Sequence, residues 1–341
     1  MPEPLRATVV GAGNITKAWF PALIAEGVRV VSVVDLDLSL AERAIDHYAL
    51  AGAKAFDSQE RALADIGSDF VVDLTVPGAH RDVTVSALRA GRHVIGEKPM
   101  SDRLDSAKEM VRVADETGLM LMVSQSRRWN AGVLDASEGV ASGKIGTLSS
   151  LRCDFYLRGY FDGFRTTMPH VLLGDMAIHH FDLARKMSGA DALTVYALDD
   201  NPRGSWAADG VAAHALFQMA GGVTFVYSGC WSARGRHTSW DGDWRLQGSE
   251  GSIEYAGDER AKGYRSDGDG FTPEPTAIDI RAAQPEVRGQ QAALREMIRY
   301  IREAVVPQSV ASDNIQSLAM VCAAIESCET GRPVDVQAML D

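Results

Sequence analysis

One stretch near the start of the chain indicates the fold: Ala7-Thr-Val-Val-Gly11-Ala-Gly13-Asn14-Ile15-Thr16. Its first four residues are β-prone, and a helical pattern follows as far as Glu26. Strand, glycine turn and helix are the context that a dinucleotide fingerprint requires. Gly11 permits the tight turn, and Gly13 lets the backbone approach a pyrophosphate at the helix N-terminus. We therefore expect Gly11, Gly13, Asn14 and Ile15 to contact a dinucleotide. An ordinary glycine turn is the alternative, and Thr16 stands where the fingerprint has Gly or Ala.

A carboxylate ends the second predicted strand. Residues Val28 to Val34 are β-prone, and Asp35 follows them, 22 positions after Gly13 (35 − 13). A carboxylate at about this spacing accepts hydrogen bonds from the ribose hydroxyls of NAD. The same charge repels the 2′-phosphate of NADP, and the next residues, Leu36 and Asp37, supply no cation to offset it. The sequence predicts NAD as the cofactor, with NADP less favoured.

A lysine ends another predicted strand, in the run Gly91-Arg-His-Val-Ile-Gly-Glu97-Lys98-Pro99. Ligands gather beyond the carboxyl ends of strands in open α/β sheets. Pro99 has a fixed φ and biases Lys98 away from helical geometry, so the backbone that carries the ammonium is stiff. Lys98 is therefore placed to act on a substrate oxygen. The tripeptide alone would also suit a solvated loop.

An acid and a histidine lie four residues apart in the segment Asp175-Met-Ala-Ile-His179-His180-Phe-Asp182. Residues at that spacing share a helix face, so Asp175 can hydrogen-bond one nitrogen of His179 and leave the other for proton transfer. His180 points away from that face and is expected to pack or cap. Asp182 is expected to be a second orienting acid or a residue of the helix surface.

Together these sites resemble the glucose–fructose oxidoreductase / inositol dehydrogenase / MocA family of NAD(P)-dependent oxidoreductases. The resemblance covers nearly the whole chain and includes Thr75-Val-Pro77-Gly-Ala-His80, which is similar to the family's Thr-Pro-x-x-x-His stretch with one extra residue before the proline. It implies cofactor contacts at Thr75, Pro77, His80, Glu97 and Lys98. The segment before Asp175 departs from the family's usual Gly-Gly-Gly pattern, which leaves the substrate-side loop undefined.

The chemistry expected of this family is hydride transfer between an alcohol and a nicotinamide. We assign His179 as the general base, oriented by Asp175, and Lys98 as the electrostatic partner of the oxygen, although the two roles could be exchanged. A metal held by Asp175, His179, Asp182 and His170 is the alternative. It is disfavoured because no further ligand stands at helix spacing and an ammonium would repel a cation.

Substrate contacts are expected from residues that precede or flank the catalytic helix. Tyr160 and Arg165 lie in an aromatic and arginine-rich stretch, a composition that suits hydroxyl-rich rings. The family resemblance places Arg127 or Arg128 near nicotinamide and substrate. The pocket or a subunit interface could include a further set: Trp206, Trp240, Asp241 and Trp244.

Three functions follow from these residues. The first is a dehydrogenase for a sugar, polyol or related cyclic secondary alcohol. The second uses transient oxidation by NAD to cleave a glycosidic bond by elimination. The third is a dinucleotide sensor without turnover, which would not need the proton-transfer groups Lys98, Asp175 and His179.

Composition bounds the class of protein. A chain of 341 residues with a formal net charge of −12 is acidic, which argues against a nucleic-acid or anionic-membrane partner. We see no targeting segment and no apolar run that could span a bilayer. The four cysteines, at positions 153, 230, 322 and 328, form no Cys-x-x-Cys pair and indicate reduced thiols. These features predict a cytoplasmic protein.

The pattern along the chain predicts two domains, a Rossmann domain at 1–125 and an α+β domain with a mostly antiparallel sheet at 126–341. In the first, strands are predicted at 6–11, 28–35, 69–75, 92–96 and 119–124, and helices near 14–26, 38–50, 79–90 and 101–117, the last capped by Ser101. In the second, strands are predicted at 147–158, 193–199, 210–220, 222–231, 243–248 and 252–256, with helices near 132–142, 289–304 and 313–330. Residues 257–275 are predicted as a loop or disordered excursion. The resemblance implies that a second subunit covers the open sheet face, in a homodimer or homotetramer.

Overall fold

The structure, a computed structural model, describes residues 3–257, 259–266 and 271–341. They form two compact units. The first combines the chain up to Ser126 with Val287–Ile315, and the second combines Arg127–Glu286 with Gln316–Asp341. The predicted domain boundary at residue 125 stays a prediction, and we describe each unit by itself.

A six-stranded parallel sheet organises the first unit. Its strands are β1 (Arg6–Val10), β2 (Arg29–Val34), β3 (Lys54–Phe56), β4 (Phe70–Asp73), β5 (His93–Glu97) and β6 (Leu121–Ser124). The helices between them are α1 (Thr16–Ala25), α2 (Leu38–His47), α3 (Gln59–Asp65), α4 (Pro77–Arg89) and α5 (Leu104–Thr117). The strand order β3-β2-β1-β4-β5-β6 reverses between β1 and β4, which is where such sheets bind ligands.

The central strands are apolar because helices cover a doubly wound sheet on both faces. Val9, Val72 and Ile95, from β1, β4 and β5, are all completely buried. Each such side chain contributes roughly 1.5–3 kcal/mol relative to exposure. The predicted Rossmann fold is confirmed.

Two short elements of this unit were not predicted. Strand β3 has three residues and helix α3 has seven, so neither is long enough to show a clear hydrophobic period. The predicted cap at Ser101 is wrong. Helix α5 begins at Leu104 after Arg103, and the Ser101 hydroxyl instead accepts a hydrogen bond from the Arg103 backbone N–H.

A nine-stranded sheet organises the second unit. Its strands are β7 (Leu148–Tyr156), β8 (Ala192–Asp200), β9 (Ala212–Met219), β10 (Thr224–Cys230), β11 (Asp243–Gly248), β12 (Gly251–Tyr255), β13 (Lys262–Arg265), β14 (Thr276–Ile278) and β15 (Val334–Asp335). The order is β14-β13-β12-β11-β7-β10-β9-β8-β15. Strands β7 and β10 pair in parallel, and the other described pairs are antiparallel, as predicted.

Four further helices complete the fold. Helices α6 (Ala131–Ala141) and α7 (Ile178–Ser188) belong to the second unit, and α8 (Gly289–Glu303) to the first. Helix α9 (Ala311–Thr330) contributes residues to both. Among the described residues, none of the helices combines the length and apolarity that a bilayer span requires.

Of two predictions made for the connections of the second sheet, one is confirmed and the other is wrong in part. Gly221 and Gly222 both have positive φ in the turn between β9 and β10, so the predicted hairpin is confirmed. The segment predicted as a loop from Gly257 to Pro275 contains strand β13, so that prediction is wrong there. The remainder of that prediction includes residue 258 and residues 267–270, which lie outside the described residues.

Candidate active site

The glycine turn after β1 is shaped by backbone contact. Gly11 has φ +97°, and a Cβ there would lie 2.7 Å from the carbonyl carbon and oxygen of Leu74. Only glycine therefore allows β1 and the end of β4 to approach so closely. A Cβ on Gly13 would meet no atom within 4 Å, so this residue faces open space. Asn14 and Ile15 follow on the exposed side of the turn, just before α1.

Asp35 lies at the end of β2 and connects two backbone segments. One carboxylate oxygen accepts a hydrogen bond from the Ala12 N–H at 2.8 Å, and the other accepts one from the Asp37 N–H at 3.0 Å. The side chain is thus held beside the glycine turn, and its predicted contact with the ribose stays a prediction.

A cavity of about 550 Å³ lies along these residues. Its wall includes Gly11, Gly13, Asp35 and Thr75, together with two further carboxylates, Asp57 and Glu60. The glycine cradle, the carboxylate beside it and the open space fit a dinucleotide. The acidic wall disfavours an additional phosphate.

The turn that carries Lys98 is anchored through its neighbours. β5 ends at Glu97, which is buried, and the Lys98–Pro99 peptide bond is cis. One Glu97 oxygen accepts the indole N–H of Trp19 from α1 at 2.8 Å, and the other accepts the Lys98 backbone N–H at 3.1 Å. Glu97 therefore fixes the backbone of Lys98 against the helix that follows the glycine turn.

The predicted Thr75–His80 stretch starts α4. Pro77 occupies the first turn of that helix, a position where its missing N–H is not needed. His80 is buried, and its two ring nitrogens lie 2.9 Å from the Pro99 carbonyl oxygen and 3.1 Å from that of Thr75. It therefore lies behind the cavity wall, between two backbone segments.

Asp175 and His179 lie in the second unit, at a change of helix type. Residues Leu172–Ala177 form a π-helical turn, a feature frequent at functional sites, and α7 continues from Ile178. Both side chains are largely buried. Arg165 donates to the Asp175 carboxylate through Nε at 2.5 Å, which brings two predicted site residues together. The predicted hydrogen bond from Asp175 to His179 stays a prediction.

The neighbours of His179 have structural roles. His180 is completely buried, stacks against Tyr227 at 5.5 Å and donates through Nε2 to the Trp240 carbonyl at 3.2 Å. Burial and the positive charge of Arg127 lower the pKa of His180 to about 3. The helix-surface alternative predicted for Asp182 is wrong, because its carboxylate is buried in an ion pair with Arg128, with two hydrogen bonds of 2.7 and 2.6 Å. The alternative of a second orienting acid stays a prediction.

Arg127 holds the loop that carries Trp240. Its guanidinium donates to the Trp240 carbonyl and lies 3.3 Å from the carboxylate of Asp241. Burial lowers the pKa of Arg127, and the charge of Asp241 opposes that shift. Asp241 also accepts from the Tyr255 hydroxyl at 2.7 Å. Trp240 is 45% exposed, and these buried polar contacts hold the loop that carries it.

The remaining candidates differ in exposure. Tyr160 is 72% exposed and contacts Arg158. Trp206 packs against Phe161 and Trp231 at 5.0 and 5.4 Å, whereas Trp244 is buried against Phe225. Trp244 is therefore a core residue.

Several connections were not predicted from the sequence: the Trp19–Glu97 bond, the Arg165–Asp175 pair and the double contact of His80. They join residues 5 to 78 positions apart, and no hydrophobic or motif spacing indicates them. The signal that could have pointed to Arg165 is the arginine-rich stretch itself. The part of the chain that the structure describes contains no group of three or more metal-ligating side chains.

Comparison with known proteins identifies the family. A model described as "Oxidoreductase family, NAD-binding Rossmann fold" matches residues 5–125, and one described as "GFO/IDH/MocA C-terminal domain" matches residues 133–254. The chain belongs to the GFO/IDH/MocA oxidoreductase family. The predictions of this family, of an oxidoreductase and of NAD as cofactor are confirmed.

Individual proteins are similar to this chain over most or all of their length. D-apiose dehydrogenase of Paraburkholderia graminis is 26% identical over 98% of this chain and 90% of its own. 1,5-anhydro-D-fructose reductase of Ensifer adhaerens is 26% identical over 97% and 98%. A crystal structure of an oxidoreductase from Agrobacterium radiobacter, in complex with NAD+, L-tartaric acid and magnesium, has a TM-score of 0.84 at 22% identity, covering 99% of this chain and 100% of that one. That likeness shows the fold.

Proposed function

We propose that this oxidoreductase is an NAD-dependent dehydrogenase of a sugar, polyol or related cyclic secondary alcohol. The observation that carries the proposal is the anchored Lys98 turn in the unit that holds the dinucleotide cavity. The names of the relatives, a dehydrogenase of D-apiose and a reductase of 1,5-anhydro-D-fructose, support the substrate class.

The residues of the cavity would hold the cofactor. Gly11, Gly13, Asn14 and Ile15 would receive the pyrophosphate at the N-terminus of α1, and Asp35 the adenosine ribose. Thr75 and Pro77 would border its path towards Glu97 and Lys98. When bound, NAD supplies the acceptor for the hydride that leaves the alcohol carbon.

The chain's own residues would manage the hydroxyl proton. His179 takes that proton as general base, and the Lys98 ammonium stabilises the negative charge that develops on the oxygen. Asp175, with Arg165 on its carboxylate, would orient His179. In the reverse direction the same groups return the proton to a ketone.

Arg127, Tyr160 and Arg165 are our proposed substrate residues. Arg165 and Tyr160 would donate hydrogen bonds to substrate hydroxyls. Arg127 would act by holding the Trp240 loop, to which its guanidinium is bonded.

A substrate panel tests this function. NADH absorbance is followed with NAD and a set of sugars, inositols and acyclic polyols, and nitrophenol release is followed with nitrophenyl glycosides. Net NADH formation with at least one sugar or polyol is expected. Nitrophenol release without net NADH would instead establish the glycoside-cleaving alternative, and NAD binding without either reaction would favour the sensor.

We also infer a cytoplasmic homodimer or homotetramer. The cytoplasmic location is supported by the four cysteines, none of which forms a disulfide bond, as expected in a reducing compartment. Assembly is supported by an apolar patch on the outer face of the second sheet, where Tyr196, Leu198 and Leu216 are 40, 52 and 51% exposed. Exposed apolar patches of this kind mark interaction surfaces.

A further inference from the structure

We propose that His80 is a positioning residue: held as an imidazolium, it ties the wall of the dinucleotide cavity to the Lys98 turn, so that cofactor binding and the placement of Lys98 are coupled. The part of this inference that concerns catalysis rests on the proposed function of Lys98. The part that concerns the cofactor depends only on the cavity.

The hydrogen-bond geometry fits a ring that carries two protons. His80 Nδ1 lies 2.9 Å from the Pro99 carbonyl oxygen and Nε2 lies 3.1 Å from the Thr75 carbonyl oxygen. Carbonyl oxygens accept hydrogen bonds and never donate them, and a neutral imidazole carries one N–H. Only the imidazolium donates to both carbonyls at once.

A buried carboxyl group interacts electrostatically with this ring. Asp73 ends β4 with its side chain completely buried, and one of its oxygens accepts from both the N–H and the hydroxyl of Thr75, at 3.1 and 2.6 Å. Burial raises the pKa of Asp73, and the positive charge of His80 opposes that rise. The other titratable groups near this helix start are Glu97 and Lys98 on the β5 turn and Asp102, whose carboxylate lies beside Gly78.

The two carbonyls belong to functionally different segments. Thr75 lines the dinucleotide cavity, whereas Pro99 directly follows Lys98. On the other side of Lys98, Glu97 is bonded to Trp19. A displacement of the Thr75 segment by a bound dinucleotide is therefore transmitted through one buried ring to the Lys98 backbone.

Nitrogen NMR of the protein, with its eight histidines isotopically labelled, tests this role of His80 without the need for turnover. The His80 signals are assigned from their loss in a His80→Gln variant. We expect two N–H protons on His80 at neutral pH, both of which shift on saturation with NAD. A single N–H, or signals that NAD does not move, would overturn the proposal even if the enzyme is active.

Variants of His80 provide the second test. His80→Phe keeps the ring volume but removes both donors, and we expect NAD affinity and kcat each to fall about tenfold or more, the effect of losing charge-assisted hydrogen bonds. His80→Gln keeps an amide donor for one carbonyl and should recover part of both losses. The matched control is His93→Phe in the same unit, where the ring lies edge-to-face against Tyr300 with centroids 5.6 Å apart.

NAD affinity measured by calorimetry distinguishes a failure of the His80 proposal from a failure of the proposed function. Unchanged affinity and kcat in His80→Phe with an intact circular-dichroism spectrum would refute the tie. If no substrate is found, a fall in NAD affinity in His80→Phe but not in His93→Phe still supports the cofactor part. If His80→Phe does not fold, the wild-type NMR result and the His80→Gln affinity decide.

Discussion

At the scale of single residues, we predict that Asp35 determines which dinucleotide the cavity accepts. Its carboxylate is held beside the glycine turn by the Ala12 N–H, and Asp57 and Glu60 add negative charge to the same wall. We predict that kcat/KM with NAD exceeds that with NADP at least about tenfold, because repulsion adds to the loss of the diol contact.

Replacement of Asp35 checks this assignment. Asp35→Ser should reduce the NAD preference, while Asp65→Asn, an exposed acid paired with Lys54, should leave it unchanged. Equal or better use of NADP by the wild type would remove Asp35 from cofactor selection.

His180 predicts a pH dependence of stability. Its folded pKa of about 3 lies below the ordinary value of 6.5, so the unfolded state binds more protons between these values. The contribution of His180 is complete above pH 6.5 and is lost as the pH falls towards 3, by up to about 1.4 kcal/mol per pH unit.

Denaturant unfolding at pH 7, about 6 and about 5 measures this effect. His180→Phe, which keeps an aromatic ring against Phe155 and Tyr227, should lose less of its unfolding free energy than the wild type over that range. Parallel losses in the two proteins would show that His180 is not buried in its neutral form.

The local position of a residue could be predicted where its chemistry dictates that position. Gly11 could be predicted because a tight turn with positive φ needs glycine, and Asp35 because a fixed spacing follows the turn. His80 and Glu97 could be placed near the cofactor only by resemblance. Trp19, the buried partner of Glu97, comes from an element distant in sequence. Pro99, the partner of His80, belongs to a turn whose geometry the sequence does not specify.

At the scale of elements, the π-helical turn determines how Asp175 is presented. It precedes α7 and places the Asp175 carboxylate on Arg165. We predict that Asp175→Asn lowers kcat at least about tenfold and changes KM less, because the general-base contribution it supports is worth about 10²–10⁴-fold.

The control for this prediction is Asp191→Asn, which removes an acid paired with Arg185 beyond the end of the same helix. A pH–rate profile distinguishes a loss of His179 orientation from a general loss of folded structure. If Asp175→Asn leaves both kcat and the profile unchanged, Asp175 does not orient the base.

Element prediction followed the strength of the hydrophobic pattern. Strands β4 and β5 are continuous apolar runs, and their centres were predicted correctly. The short strands β3 and β13 were not predicted because they have only three and four residues, and β13 lies in a stretch rich in Gly and Asp. Ser101 was assigned as a cap from its residue type, but α5 begins only at Leu104, after Arg103.

At the scale of the whole molecule, the outer face of the second sheet predicts assembly. Tyr196 and Leu216 are paired across β8 and β9, and Leu198 lies next to them on β8. We predict a dimer or tetramer by light scattering at micromolar concentration, and dissociation in Leu216→Glu, because a charge would be buried without a partner.

The control is Val306→Glu, a charge added at an equally apolar residue of the first unit that is 65% exposed. It should keep the wild-type mass. A wild-type monomer would contradict the inferred assembly.

The class of the whole molecule could be predicted because alternating strands and helices, followed by consecutive strands, require two different sheets. The return of residues 287–315 to the first unit could not, since nothing in the amphipathic pattern of α8 states which sheet it covers. The same limit applies to the substrate, because the proposed substrate residues Tyr160 and Arg165 lie in a segment without a repeating hydrophobic pattern.

The most direct measurement of the central claim is single-turnover NADH formation by Lys98→Ala with a substrate from the panel. We predict a rate at least about 10²-fold below wild type with NAD affinity nearly retained, because the variant loses the charge that stabilises the alkoxide but keeps the cavity. Lys54→Ala, which removes an exposed lysine of the same unit, serves as the control and should turn over normally. A wild-type rate in Lys98→Ala would contradict the account.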